Sequence, residues 1–413
     1  MMRLIGSHPT LSFLAGYSVL VFLSSLLLVA GIAHEFDWLL SLPQRALVRD
    51  ALIQLGGLGL LVALLSSPLL VLSSSQRTSL LRGVRVCVII AAATVLVPLG
   101  AGELFLRATY ADGMSFSSHG GPLVRRFEQN FTFNHFEGPS RGPEAVGSKQ
   151  FDDIRILVQG DSITWGQGIK DEASLYTERL LKLLNAEDPH IRLAVLAKPG
   201  REIDGHLAQL RRWGQEIDPD VIIYQWFIND IEIDKSHRPH TDRVWQRFFL
   251  HRYLMQTSYL WFFLDYRLDL LLPSDAPSYE DYIEADFAPG TSGWQRFAAA
   301  FHVWATEAKM LTPQVLVVLY PDLEPSHVLF LDMHSRMRAL AEQEGVTVID
   351  LTPSLDSFEG DYARAYASPF DGHPNAAVHD RIARTLYDRI HELLPEVRAR
   401  RGWPDGGVHQ GHV

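Results

Sequence analysis

Residues 11–33 carry no charged side chain over 23 positions, residues 51–72 add 22 more, and residues 86–102 another 17. The apolar character resumes at Leu104 to Leu106, just beyond Glu103. A helix needs about 20 apolar residues to cross a bilayer, and no polar face interrupts these runs as it would on the surface of a water-soluble domain. They predict three transmembrane helices, at about 11–33, 51–72 and 86–106, within a membrane region of residues 1–107. A cleaved signal peptide is the competing reading of the first run, but that run exceeds a usual apolar signal core and two more follow at once. Basic residues in short flanks orient such segments. Arg3 precedes the first run, and Arg77, Arg82 and Arg85 separate the second from the third, whereas Arg45 and Arg49 between the first two are offset by Glu35, Asp37 and Asp50. The amino terminus and the 73–85 loop are therefore expected in the cytoplasm. Three crossings then carry everything after Arg107 to the outer side, as in an integral protein of a bacterial plasma (inner) membrane with an extracytoplasmic or periplasmic domain.

That outer part is acidic. Residues 108–413 hold 30 basic and 44 acidic residues, a balance that argues against nucleic acid as a partner, because phosphate binding needs a basic face. The single cysteine, Cys87, lies inside the third apolar run, so neither an intrachain disulfide nor a cysteine-based zinc site is available. Residues 108–150, rich in Gly, Ser, Asn, Pro and Phe, read as a connector, and residues 396–413 as a polar tail.

From Ile154 the pattern becomes regular. Short apolar strands are predicted at 154–159, 191–197, 221–227, 315–320 and 346–351. Helices with apolar steps of three and four are predicted at 173–185, 202–217, 294–309, 326–344 and 376–394. Five such strands alternating with helices imply one parallel sheet covered on both faces, and in such sheets ligands sit at the carboxyl ends of the strands. Four polar features fall at or near that rim. Ser162 follows the first strand in Gly160-Asp161-Ser162, Gly200 follows the second, and Asn229 follows the third in Trp226-Phe227-Ile228-Asn229-Asp230. Phe370-Asp371-Gly372-His373-Pro374-Asn375 precedes the last helix.

A serine hydroxyl needs a base to take its proton, commonly a histidine steered by a carboxylate. In an extended segment residues two apart face the same side, so Asp371 can reach Nδ1 of His373 while Nε2 faces Ser162. Acyl transfer also needs donors for the developing oxyanion. The Ser162 N–H, the Gly200 backbone and the Asn229 amide can supply them. Each residue also has a plain structural role open to it: Ser162 and Gly200 as turn residues, Asn229 as a cap, and Asn375 as the N-cap of the last helix.

The order and spacing of these blocks resemble the GDSL/SGNH hydrolase family over about residues 150–395. The resemblance implies a flavodoxin-like three-layer α/β/α domain, here 151–395, with Ser162 as nucleophile, His373 as base and Asp371 as its orienting acid. It places Ser162, Gly200 and Asn229 in the oxyanion hole and requires no metal or organic cofactor. Three departures touch the pocket. Phe227 stands where the family often has Gly two residues before the Asn, the acid precedes the His by two residues rather than three, and Lys198-Pro199 precedes Gly200 in place of an Asn. The motif is not the elbow of α/β-hydrolases, because Thr164 replaces its second glycine.

A helical insertion at about 235–292 contains an aromatic stretch, 245–272, interrupted by Arg247, Arg252, Asp265, Arg267 and Asp269. It is too charged to span a bilayer. It reads either as a cover packed on the core or as a lid or interfacial helix, since Trp, Tyr and Arg suit the headgroup zone. The functional expectation is a membrane-anchored serine esterase or acyl-transfer enzyme acting on cell-envelope glycan O-acyl groups or lipid esters. A catalytically silent binding or scaffold module of an envelope-polysaccharide assembly is the alternative. Beyond the bilayer and an ester substrate, no protein partner is implied.

Overall fold

The computed structural model describes residues 94, 97–110, 128, 131–136, 140–145, 147–233, 235, 249–271, 279–322, 331–358, 362–368 and 371–402. In chain order its elements are α1 (97–109), β1 (Ile154–Gly160), α2 (Ser162–Trp165), α3 (Tyr176–Asn185), β2 (Ile191–Ala197), α4 (Ile203–Ile217) and β3 (Val221–Trp226). There follow α5 (Phe249–Thr257), α6 (Tyr259–Leu271), α7 (Tyr279–Phe287), α8 (Ser292–Leu311), β4 (Val315–Leu319), α9 (Leu331–Gln343), β5 (Thr347–Asp350), α10 (Thr352–Leu355), α11 (Tyr362–Ala365), β6 (Tyr366–Ser368), β7 (Asp371–Pro374) and α12 (Ala376–Arg400). One compact unit holds α1, α5 and α6; the elements from β1 to β3 and from α7 onward form the other. The expected spans at 11–33 and 51–72 lie outside the described residues, as does nearly all of 86–96, and α1 covers the remainder of the third run. Among the described residues no helix is long and apolar enough to cross a membrane.

The larger unit is built on a five-stranded sheet of order β2-β1-β3-β4-β5, every neighbouring pair parallel. β1, β3 and β4 are buried along their whole length, which is why they read as unbroken apolar runs rather than alternating ones. Alternate residues nonetheless serve different faces. Ile156, Val158, Val195 and Ile223 pack with Tyr176, Leu180 and Leu184 of α3 and with Val378, Ile382, Leu386 and Ile390 of α12. Leu157, Leu196, Ile222 and Tyr224 pack on the other side with Leu207 and Leu210 of α4, Phe297, Phe301 and Trp304 of α8, and Met333 and Met337 of α9. The result is the expected α/β/α sandwich. Its strand order reverses between β1 and β3, the switch point where doubly wound sheets open a crevice.

β2 is an edge strand, and an uncovered edge exposes unpaired backbone groups. Part of the expected connector covers it. Pro143 O accepts from Val195 N at 3.0 Å, the buried Ser140 Oγ accepts from Ala197 N at 2.8 Å and donates to Val195 O at 2.9 Å, and Asn134 Nδ2 donates to Val195 O at 3.0 Å. At the other end of the domain α12 runs to Arg400, five residues into the stretch read as a tail, with Pro395 inside it. Arg398 pairs with Asp188 at 2.7 Å and holds this last turn. The antiparallel pair β6–β7 was not among the predicted strands.

Candidate active site

β1 ends in Gly160 because nothing larger fits there. A Cβ on Gly160 would stand 1.9 Å from Thr164 Oγ1 and 2.7 Å from Gln225 Oε1. Thr164 cannot turn away easily, since its hydroxyl donates to Gln225 Oε1 at 2.9 Å and lies 2.8 Å from the Tyr176 hydroxyl. The chain then enters α2 at once. Asp161 is its N-cap, its Oδ1 accepting from Ile163 N at 2.9 Å, and Ser162 is the first helical residue. The far end of α2 is closed by Gly166, whose carbonyl accepts from the buried Arg141 guanidinium at 3.0 Å. That guanidinium lies 3.7 Å from the Phe131 ring centroid. Its burial brings its pKa down to about 10, against the pull of Glu172 and Glu128.

Asp371 and His373 come from β7. His373 Nε2 lies 2.8 Å from Ser162 Oγ, and His373 Nδ1 lies 2.5 Å from Asp371 Oδ1. The alternation anticipated for an extended segment is what brings both contacts to one side of the ring. Asp371 is buried while His373 is partly open. Asn375, next along, caps α12 with its Oδ1 accepting from Ala377 N at 2.9 Å and Val378 N at 3.1 Å, so the start of that helix also anchors the β7 segment. Burial disfavours the imidazolium, but the charge and hydrogen bond of Asp371 outweigh it, and the pKa of His373 is raised above 6.5.

Gly200 and Asn229 share the same end of the sheet. Gly200 follows β2 in the left-handed region at φ +65°, a conformation open to glycine. The loop that carries it is joined to the nucleophile strand by Lys198 N donating to Gly160 O at 3.3 Å. The Lys235 ammonium donates to Gly200 O and lies 3.5 Å from Glu202. Asn229 sits in the single 3-10 turn Ile228–Ile231 after β3. The turn is held by Asp230, whose Oδ2 accepts from Tyr224 OH at 2.8 Å and Phe227 N at 3.1 Å. Phe227 packs edge-on against Tyr320, with ring centroids 5.8 Å apart.

Beneath the rim lies a buried polar layer that sequence reading did not find. Asp161, His206 and Asp230 are all inaccessible, and His206 Nε2 lies 3.6 Å from Asp230 Oδ1. Burial, and then the neighbouring Asp230, push Asp161 up to about 6. Burial drives Asp230 well above the usual carboxylate range and His206 down to about 3. Gln159 donates to His206 O at 2.8 Å and accepts from Trp304 Nε1 at 2.9 Å. These groups act through the turns they hold. Only Asp161 and Asp230, as neighbours of Ser162 and Asn229, carried any sequence signal. Lys235 and Arg141 had none beyond their type.

Two other features lie apart from this rim. Asp152, Asp153 and His190, at the amino-terminal ends of β1 and β2, form the one carboxylate and histidine group among the described residues compact enough for a metal ion. They are at the opposite end of the strands from Ser162, with Arg192 3.7 Å from Asp153. A cavity of about 590 Å³ between α8 and α9, lined by Trp294, Ala298, Arg336 and Leu340 among others, contains none of the site residues.

A doubly wound α/β/α domain with a serine and a histidine–aspartate pair meeting at its switch-point rim is the architecture of a serine-hydrolase class. Within it, this chain belongs to the GDSL-like lipase/acylhydrolase family, whose model matches residues 158–381. No curated protein matches the sequence. Among solved structures, TesA is 18% identical, covering 58% of this chain and 99% of its own with a TM-score of 0.38. A psychrotrophic esterase, EstA, from Pseudoalteromonas sp. is 13% identical, covering 59% and 100% with a TM-score of 0.37. A catalytic mutant of an acetylxylan esterase from Geobacillus stearothermophilus is 16% identical, covering 59% and 96%, also at 0.37. The functional reading rests on the family and the site rather than on these distant likenesses.

Proposed function

We propose that this chain is a membrane-anchored serine hydrolase that cleaves ester bonds outside the cytoplasm. The observation that carries the reading is the continuous Ser162–His373–Asp371 chain of contacts, at 2.8 and 2.5 Å. Asp371 accepts a hydrogen bond from the Nδ1–H of His373, which leaves Nε2 as the basic nitrogen facing Ser162. Ser162 Oγ adds to the ester carbonyl as its proton passes to Nε2. The negative charge that develops on the carbonyl oxygen is held by the Ser162 and Gly200 backbone N–H groups and the Asn229 amide. His373 returns the proton to the departing alkoxide, leaving an acyl-enzyme. Water, or an acceptor hydroxyl, then gives up its proton to Nε2 as it attacks the acyl carbon; the Ser162 Oγ–acyl bond breaks, His373 returns that proton to Ser162 Oγ, and hydrolysis or transfer is complete. None of these steps calls on a metal or an organic cofactor. The tether of residues 1–107 favours esters borne at the membrane: O-acyl groups of envelope glycans or lipid esters.

The test is labelling of the full chain with a fluorophosphonate probe, alongside a panel of aryl esters, acetylated glycans and phospholipids. Wild type is expected to label and turn over at least one ester, and Ser162→Ala to do neither. A folded wild type inert to probe and panel alike would instead make the domain a binding or scaffold module. Protease protection in spheroplasts checks the side of the membrane: the part beyond residue 108 is expected to be digested from outside.

A further inference from the structure

α1 is built inside out for a helix in water. Its apolar side chains Leu104 and Phe105 are 70% and 69% exposed, and Val97, two turns earlier, is also exposed. Leu106 is buried beside Glu103 and Arg107, and the two charged side chains, 20% and 47% exposed, are bonded to the α5–α6 turn. Glu103 accepts from Ser258 Oγ at 2.8 Å, Tyr259 N at 3.2 Å, Leu260 N at 2.8 Å and Arg107 Nε at 2.6 Å. Arg107 donates a second bond to Thr257 O at 2.6 Å and stands 5.3 Å from the Tyr259 ring centroid. One carboxylate thus caps the start of α6 and one guanidinium the end of α5, each suited to the helix end it meets. Gly102 completes the seat, since a Cβ there would touch Leu260 at 3.4 Å. The two helices are tied to each other as well, by Trp261 Nε1 donating to His251 Nδ1 at 3.2 Å.

A surface helix normally turns charge to solvent and apolar residues inward. The reverse arrangement suits a surrounding that is itself apolar, and charged groups at membrane depth are accommodated when they face inward and are fully bonded. The occupant of the outer face is set by what precedes it: residues 86–102 are an uncharged run that leads straight into this surface. Lipid therefore continues along it to the level of Glu103 and Arg107, one helical turn of charge. At that same level the clasp holds the turn between α5 and α6. α5 shows Leu250 (48% exposed) and Tyr253 (64%) three positions apart on one face, the aliphatic and aromatic pairing found in the headgroup zone.

Resting on the membrane anchoring proposed above, we infer that the α5–α6 hairpin is an interfacial element. Glu103 and Arg107 fix its turn where α1 leaves the lipid, and Leu250 and Tyr253 lie in the headgroup layer of a phospholipid bilayer. The test uses the full chain with Cys87→Ser, reconstituted in phosphatidylcholine–phosphatidylglycerol vesicles and spin-labelled at one introduced cysteine. Leu104→Cys, Leu250→Cys, Tyr253→Cys and, as an aqueous reference, Met310→Cys are compared by relaxation with oxygen against a water-soluble nickel chelate. The oxygen-to-nickel ratio is expected to be highest at 104, intermediate at 250 and 253, and lowest at 310. Adding Arg107→Ala, or Ser258→Ala, is expected to shift 253 toward the 310 value and leave 104 unchanged. Lipid exposure at 104 with 250 and 253 as aqueous as 310 overturns the inference while anchoring stands; an aqueous 104 overturns both. A reading at 253 indifferent to both clasp variants overturns the role given to Glu103 and Arg107.

Discussion

Ser162 and His373 lie 211 positions apart in the chain and 2.8 Å apart in the fold. Replacing His373 by Ala removes the base from that contact and is expected to lower kcat about 10²–10⁴-fold on whichever ester the wild type turns over; an unchanged kcat would remove His373 from the mechanism. The pH dependence follows from its surroundings. Burial, the largest single influence, favours the neutral ring, yet the charge and hydrogen bond of Asp371 together with the charge of Asp161 raise the pKa above 6.5, and only the neutral ring can accept a proton. The rate is therefore expected to fall on acidification, with its midpoint above pH 6.5. Asp371→Asn takes away the charge that raises it, so that midpoint is expected to move to lower pH as kcat drops. A pH–rate profile whose acid limb stays in place in the variant would contradict this origin. Ser162, Asp371 and His373 were legible from order and alternation, because a strand end and a two-residue spacing are local facts. The buried layer of Asp161, His206 and Asp230 was not, because its contacts join β1, α4 and the turn after β3.

The nucleophile turn and the edge cover give predictions at the level of elements. Gly160→Ala sets a Cβ 1.9 Å from Thr164 Oγ1, which two hydrogen bonds hold in place. The substitution is expected to cost about 1–3 kcal/mol in urea unfolding and to displace Ser162. A second change, Thr164→Ala, should recover part of both losses, and no recovery would mean the clash lies elsewhere. Ser140→Ala leaves the buried Ala197 N–H without its acceptor, while the Val195 carbonyl keeps the Asn134 amide. It is expected to destabilise by about 1–3 kcal/mol, whereas a serine that only decorates a connector would change nothing measurable. β1, β3 and β4 were readable because burial on both faces leaves continuous apolar runs, and β2, with one exposed residue, comes close to the same pattern. β6 and β7 were not, since three and four residues, Tyr-Ala-Ser and Asp-Gly-His-Pro, show no period. The cover over β2 was hidden for a related reason: polar side chains and one backbone carbonyl hold it, without any apolar rhythm.

Across the larger unit, buried ionisable groups oppose one another. Burial lowers His206 and His379 to about 3; unfolded, each would take a proton below about 6.5, so their contribution falls as pH drops. Burial raises Asp161 to about 6 and Asp230 further; folded, these hold protons that the unfolded chain releases, so their contribution rises as pH drops. On acidification the two histidines therefore weaken the fold while the two aspartates strengthen it. His379→Gln, which can still accept from Tyr176 N, removes one of the falling contributions. Between pH 6 and 4.5 its urea midpoint is expected to gain on that of the wild type, and two midpoints that run parallel would refute the contribution given to His379. Asp371 and His373 both ride on β7, a single four-residue strand, so a shift of that strand carries both as one lever. Such a shift would part His373 from Ser162 while keeping the Asp371 contact that raises the imidazole's pKa. Proton affinity and competence are thus separately readable: a ring that titrates normally by NMR in a silent protein would locate the fault in the seating of β7, not in the pair it bears.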